Sequence, residues 1–167
     1  ISCKRNNTKL EADMKSFYTS EYLTKITEGT SNKNWKASGI SIDTRTIKRG
    51  DLFCALKGKN FNGHNFLKEA FEKGASAAMI DEEKKSTYKI PFIKVEDVLS
   101  AIYKIAQDRR LRSKAKFIGI TGSVGKTGTK DMLENALNKV TKVYANIGSY
   151  NNHIGTPLTL ARTPDKV

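Results

Sequence analysis

Cysteine is scarce in this 167-residue chain: only Cys3 and Cys54 occur, far apart and outside any metal-ligand spacing. That scarcity excludes a disulfide scaffold and points to a reducing compartment. No apolar run approaches the ~20 residues that a membrane-spanning helix needs, and the first residues, Ile1 to Asn7, lack the apolar core of a signal peptide. A cytoplasmic chain without a membrane span is therefore expected. There are three prolines, one tryptophan and two histidines, and the histidines, His64 and His153, have no ligand-like company. Low-complexity tracts and internal repeats are also missing, and a chain 38% hydrophobic and 28% charged is neither fibrous nor disordered. The opening residue is Ile1 rather than Met, so a processed or partial chain is expected.

Acidic residues are in deficit, 17 against 30 basic ones, for a formal charge of +13. The excess is Lys-rich (23 Lys, 7 Arg) and spread as +2 over 1–35, +4 over 36–109 and +7 over 110–167. Base reading and phosphate clamping favour Arg forks, and no aromatic-interleaved basic stripe is present. A solvated Lys-biased surface is the expectation, with no nucleic-acid partner. The charge of the last third is placed to help hold a polyphosphate.

The pattern along the chain is strand and helix in alternation. Residues 1–16 form a loose leader, and Ser20 is placed as N-cap of a short helix that Gly29 stops. Strands are expected at 37–42, 52–56, 77–80, 91–95 and 117–120. Helices are expected around Phe66–Phe71, ending at Gly74, from Val98 to Ala106, and where Met132, Leu133, Ala136, Leu137 and Val140 recur at helical spacing. Such alternation implies an α/β fold with a mainly parallel sheet. The expected organisation is a small amino-terminal α/β domain over 1–96, followed over 97–167 by the start of a second α/β unit.

The strongest chemical signal is the segment 117–131. An apolar strand runs into Thr121-Gly-Ser-Val-Gly-Lys-Thr127 and then into an amphipathic helix, which is the context a phosphate-binding loop requires. Gly122 and Gly125 let the backbone turn its N–H groups inward around Ser123 and Val124, and the helix N-terminus adds partial positive charge. Lys126 is placed to reach terminal phosphates, and the Thr127 hydroxyl suits a Mg²⁺ that bridges them. The longer G-x-x-x-x-G-K-[ST] pattern would want glycine where Ile120 stands. The alternative is a chance Gly-Lys-Thr at a helix start.

The shorter loop resembles that of the Mur ligase family of peptidoglycan synthesis, and two further blocks extend the resemblance. One is Ser41-Ile-Asp-Thr-Arg45 running through Lys57-Gly58 to Phe66, similar to the family's uridine-nucleotide segment. The other is Tyr150-Asn-Asn-His-Ile-Gly-Thr-Pro157 with the residues to Arg162. Together the blocks cover residues 37–163 almost continuously. Gly128 departs from the family's usual Ser or Thr, Asn62 from a common Asp, and Ser149 from a common Asn.

The resemblance implies an ATP-dependent, Mg²⁺-dependent amide-forming ligase, with Lys126 and Thr127 catalytic and residues 122–128 holding the nucleotide. It further implies that the substrates are a UDP-N-acetylmuramoyl-tripeptide and D-Ala-D-Ala, joined through an acyl phosphate by a monomeric enzyme. Ser41, Asp43, Thr44, Arg45, Lys57 and Gly58 would bind the uridine diphosphate. For the first four the alternative is a strand-end turn closed by an Asp43–Arg45 pair. Asn151 and Asn152 would meet substrate or γ-phosphate, or cap the helix 154–160, and both roles are compatible. Family members have about three domains, so this chain is expected to be an incomplete enzyme by itself. Two other readings stay open: a folate-polyglutamate type of amide ligase, against which the first block argues, and a non-catalytic nucleotide or nucleic-acid module driven by charge. Competition by UDP-sugar, folate or salt-sensitive polynucleotide separates the three.

Overall fold

Short strands that are apolar on both faces need helices on both faces, and that requirement organises the amino-terminal two-thirds of the chain. The computed structural model describes residues 18–82, 89–146 and 153–164. Strands β1 (Tyr18–Thr19) and β3 (Lys36–Ala37) form a small antiparallel ladder. The main sheet contains β2 (Thr30–Ser31), β4 (Gly39–Ser41), β5 (Asp51–Cys54), β6 (Ala77–Ile80) and β7 (Phe92–Lys94) in the order β2-β7-β6-β5-β4. Strands β4 to β7 run parallel, and β2 pairs antiparallel with β7 at one edge.

Alternate residues of the central strands supply two cores. Leu52, Cys54, Ala77, Met79 and Ile93 face α1 (Ser20–Thr27), α3 (Val98–Arg112) and α5 (Gly155–Arg162). Phe53, Ala78, Ile80 and Phe92 face α2 (Leu67–Glu72), which is entered through a 3-10 turn at Gly63–Phe66. Helix α3 buries Val98, Ala101, Ile102, Ile105 and Ala106, an i, i+3, i+4, i+7, i+8 stripe. Asp97 caps it by accepting from the Ser100 N–H at 2.7 Å. Burial of Val98, Ile102 and Ile105 contributes roughly 1.5–3 kcal/mol each.

The expected strands at 77–80 and 91–95 form, while three local expectations are corrected. The N-cap of α1 is Thr19, whose hydroxyl accepts from the Tyr22 N–H at 3.1 Å, and the left-handed residue that ends the helix is Glu28 (φ 58°), not Gly29. Ser38 interrupts the run 37–42, because its N–H turns to the Gly50 carbonyl at 2.9 Å. Residues 117–120 are not a strand: a strand needs a neighbour for its backbone groups, and none lies alongside among the described residues. Helix α4 (Lys126–Leu137) forms as expected but ends before Val140, and it buries no residue. No break in packing marks residue 96, since α3 and α5 both lie on the sheet of the preceding segment. Among the described residues, no helix is long and apolar enough to cross a membrane.

Candidate functional site

Parallel strands end at the same edge, and in open α/β sheets that carboxyl edge is where ligands bind. Strand β4 ends at Ser41, β5 at Cys54 and β6 at Ile80. The loops that follow therefore bring Ser41–Arg45, Lys57–Gly58 and Asp81–Glu82 to one edge.

In the first loop the Ser41 hydroxyl donates to the Asp43 carbonyl at 3.0 Å, and the Thr46 N–H donates to the same carbonyl at 3.1 Å. Arg45 lays its Nε and Nη2 on the Asp43 carboxylate, at 3.0 and 2.6 Å, while its own backbone N–H donates to Oδ1 at 2.9 Å. The turn-closing pair is thus formed. The Arg45 bonds hold the Asp43 carboxyl below its ordinary range. The arginine side chain nevertheless remains 84% exposed, so it can face a ligand without leaving the turn. Thr44 is buried.

In the second loop Lys57 is tied to acids. Its Nζ sits 2.8 Å from Asp81 and 3.2 Å from Glu82, and the bond to Asp81 raises its pKa. Gly58 lies under the Phe61 ring, where a Cβ would come within 2.4 Å of Cε1. Sequence reasoning had no signal for the group behind this loop. His64 is fully buried and lies 3.3 Å from Asp81, while its Nδ1 meets Asn62 at 2.8 Å. Partners 17 residues away leave no local pattern.

The candidate phosphate loop is shaped by its glycines. Gly122 (φ 151°) and Gly125 (φ 79°) take backbone angles that favour glycine. Gly125 is the N-cap of α4 and offers no side-chain cap, so the first-turn N–H groups at Lys126, Thr127 and Gly128 face outward with the helix dipole. The first intrahelical bond at this end runs from Thr129 N–H to the Gly125 carbonyl at 2.9 Å. The Lys126 ammonium donates back to the Gly122 carbonyl, closing the loop into a ring. Uncapped N–H groups, a left-handed turn and a lysine beside a threonine hydroxyl suit a polyphosphate with a divalent cation. At Gly128 a Cβ would meet nothing within 4 Å, so the Ser or Thr usual there would fit. Asn151 and Asn152 lie outside the described residues, and Ile154, the N-cap of α5, makes no side-chain cap bond. Among the described residues no three His, Cys, Asp or Glu side chains gather into a cluster that could hold a metal by themselves.

Residues 36–121 match the Mur ligase family, catalytic domain, and residues 120–167 match the Mur ligase middle domain. The UDP-N-acetylmuramoyl-tripeptide–D-alanyl-D-alanine ligase of Rickettsia prowazekii is 40% identical over 126 residues, 75% of this chain and 28% of that protein. The chain thus spans little more than a quarter of that relative's length. A ligase structure from Acinetobacter baumannii, described as adding D-alanyl-D-alanine to a diaminopimelate-containing UDP-muramoyl peptide, superposes on 90% of the chain. Its TM-score is 0.78 at 29% identity, and the match covers 34% of that structure. A MurF ligase from Thermotoga maritima, in complex with ADP, superposes on 74% of the chain with a TM-score of 0.61 at 31% identity. That match covers 29% of the structure.

Proposed function

The chain belongs to the Mur ligase family, and from that premise we propose that it carries two nucleotide sites of a D-alanyl-D-alanine-adding ligase. Residues 1–96 bind the UDP-muramoyl-tripeptide through Ser41, Asp43, Thr44, Arg45, Lys57 and Gly58. Residues 97–167 begin the ATP-binding part, with residues 122–128 around the phosphates and Asn151 and Asn152 toward the substrate. The whole enzyme would be a cytoplasmic monomer that joins D-Ala-D-Ala to the tripeptide carboxylate through an acyl phosphate.

The observation that carries the reading is the loop itself: left-handed Gly122 and Gly125 open α4 with an uncapped first turn beside Lys126. Backbone N–H groups bind the phosphates, and Lys126 leaves the Gly122 carbonyl to neutralise charge on the terminal phosphates. Thr127 would hold Mg²⁺, which supplies further charge neutralisation when bound. At the sheet edge Arg45 offers a diphosphate the exposed side of its fork. Lys57 contributes its charge only after exchanging a carboxylate for a phosphate.

A paired substitution tests this reading. Lys126→Ala should weaken a non-hydrolysable ATP analogue by about tenfold or more and leave UDP binding unchanged, while Arg45→Ala should do the reverse. Calorimetry in which Arg45→Ala binds UDP as the unaltered chain does, or Lys126→Ala keeps its nucleotide affinity, refutes the corresponding site.

A further inference from the structure

Strand β4 is an edge strand, and an edge leaves backbone carbonyls without a ladder partner. At Ile40 that carbonyl accepts a hydrogen bond from Arg162 Nε at 2.7 Å, across 122 residues of sequence. Ile40 and Ser41 are both buried, and Ser41 begins the turn that carries Asp43 and Arg45. The segment that delivers Arg162 is itself anchored. Leu158 and Ala161 are buried in the core shared with α3, the Tyr18 hydroxyl donates to the Ala161 carbonyl, and Thr163 Oγ1 donates to the Thr159 carbonyl at 3.0 Å. Beneath the same strand lies the buried Asp51, pressed against Gly39, with its Oδ2 accepting from the Lys48 N–H at 2.8 Å. The Arg162 charge stabilises that carboxylate.

An arginine arriving from beyond the phosphate loop thus fixes the end of the strand from which the first nucleotide site begins. We propose that Arg162 is a positioning residue for the nucleoside-diphosphate site: by holding the Ile40 carbonyl it sets the placement of Ser41 and the Asp43–Thr46 turn. The inference rests on the assignment of UDP to that turn. In this account Arg162 acts on the ligand only through the Ile40 carbonyl that its Nε holds. It also makes the geometry of the first site depend on the docking of α5, so the two matched segments of the chain share one binding element.

The test uses the whole 167-residue chain, UDP as the probe, and isotope-labelled protein so that the Ser41 amide resonance can be followed. Arg162→Met keeps the apolar stem but removes the donor and the charge. It should weaken UDP about tenfold and shift the Ser41 resonance, with binding of an ATP analogue unchanged. Arg162→Lys restores a charged donor without the planar fork and should recover most of the loss, to within about threefold of the unaltered chain. A Met variant that binds UDP with unaltered affinity overturns the proposal. So do Met and Lys variants that lose UDP affinity equally, because packing alone then accounts for the effect. If the Met variant does not fold, Arg162→Gln, shorter and uncharged, takes its place: weaker UDP binding with a displaced Ser41 resonance supports the proposal, and unaltered UDP affinity overturns it. Failure of the unaltered chain to bind UDP refutes the underlying site instead, and is distinguished by coming before any substitution.

Discussion

Helices Val98–Arg112 and Lys126–Leu137 both carry apolar residues at helical spacing, yet the first buries Val98, Ala101, Ile102, Ile105 and Ala106 and the second buries none. The difference lies in what each helix meets. The earlier helix lies on a sheet with two finished faces, whereas Met132 is 74% exposed and, next to the second helix, Val140 is 80% exposed. An apolar stripe is a demand for a partner and does not supply one. The candidate phosphate loop still forms without that packing, because its shape depends on glycine backbone angles and one lysine–carbonyl bond, both local. Binding geometry and core packing are therefore separable in this chain, and substitutions in matched pairs probe how far.

The largest contrast is expected in the two stripes. Ile102→Ala removes a fully buried side chain and should cost about 2–5 kcal/mol in denaturant unfolding. Met132→Ala, on the exposed stripe, should stay within about 0.5 kcal/mol. Comparable losses at both positions would mean that the second helix is packed in solution, and the comparison would fail.

Glycines give the next contrast. A Cβ at Gly63 would lie 2.7 Å from the Leu56 carbonyl oxygen and 2.8 Å from the Ala55 carbonyl carbon, both backbone atoms that cannot swing away. Gly63→Ala should therefore cost about 1–3 kcal/mol. At Gly128 nothing lies within 4 Å, and alanine there should add up to about 1 kcal/mol through helix propensity. Thermal unfolding of the two variants should move in opposite directions; a shift of the same sign in both would contradict the packing described.

The sequence was most legible where structure is decided locally or by strict period. The strand 77–80 and the buried stripe of α3 follow from apolar periodicity, and the phosphate loop follows from its glycines and lysine. Legibility failed where the deciding partner is distant. Residues 117–120 have the apolar content of a strand but no neighbour to pair with. The ends of α1 were displaced by a single residue because Thr19 and Glu28 compete with Ser20 and Gly29 for the same cap roles. In the candidate site the Asp43–Arg45 pair was foreseeable from a two-residue spacing. The ties from Lys57 to Asp81 and from Arg162 to Ile40 span 24 and 122 residues and have no sequence signature.

The smallest expected effect concerns charge inside the packed unit. Asp51 is 7% exposed, and burial raises its pKa, opposed by the Lys48 N–H and by the charges of Arg162 and Lys48. The folded value therefore lies above the unfolded one, about 3.9. Such a carboxyl contributes its full stability only below the unfolded value, and loses it as pH rises through the folded value. Asparagine has no charge to lose and still offers an oxygen to the Lys48 N–H. Relative to the parent chain, Asp51→Asn should gain a small amount of stability as pH rises above the unfolded carboxyl value of about 3.9. The counterpart in the exposed region is Asp131, 54% exposed and 2.6 Å from Lys130. Asp131→Asn removes only a surface pair, worth at most about 1 kcal/mol at any pH. Denaturant titrations of both variants at pH 4, 5.5 and 7 decide the matter. A stability difference for Asp51→Asn that stays flat, or that turns against the variant as pH rises, would show that Lys48 and Arg162 compensate the buried charge in full.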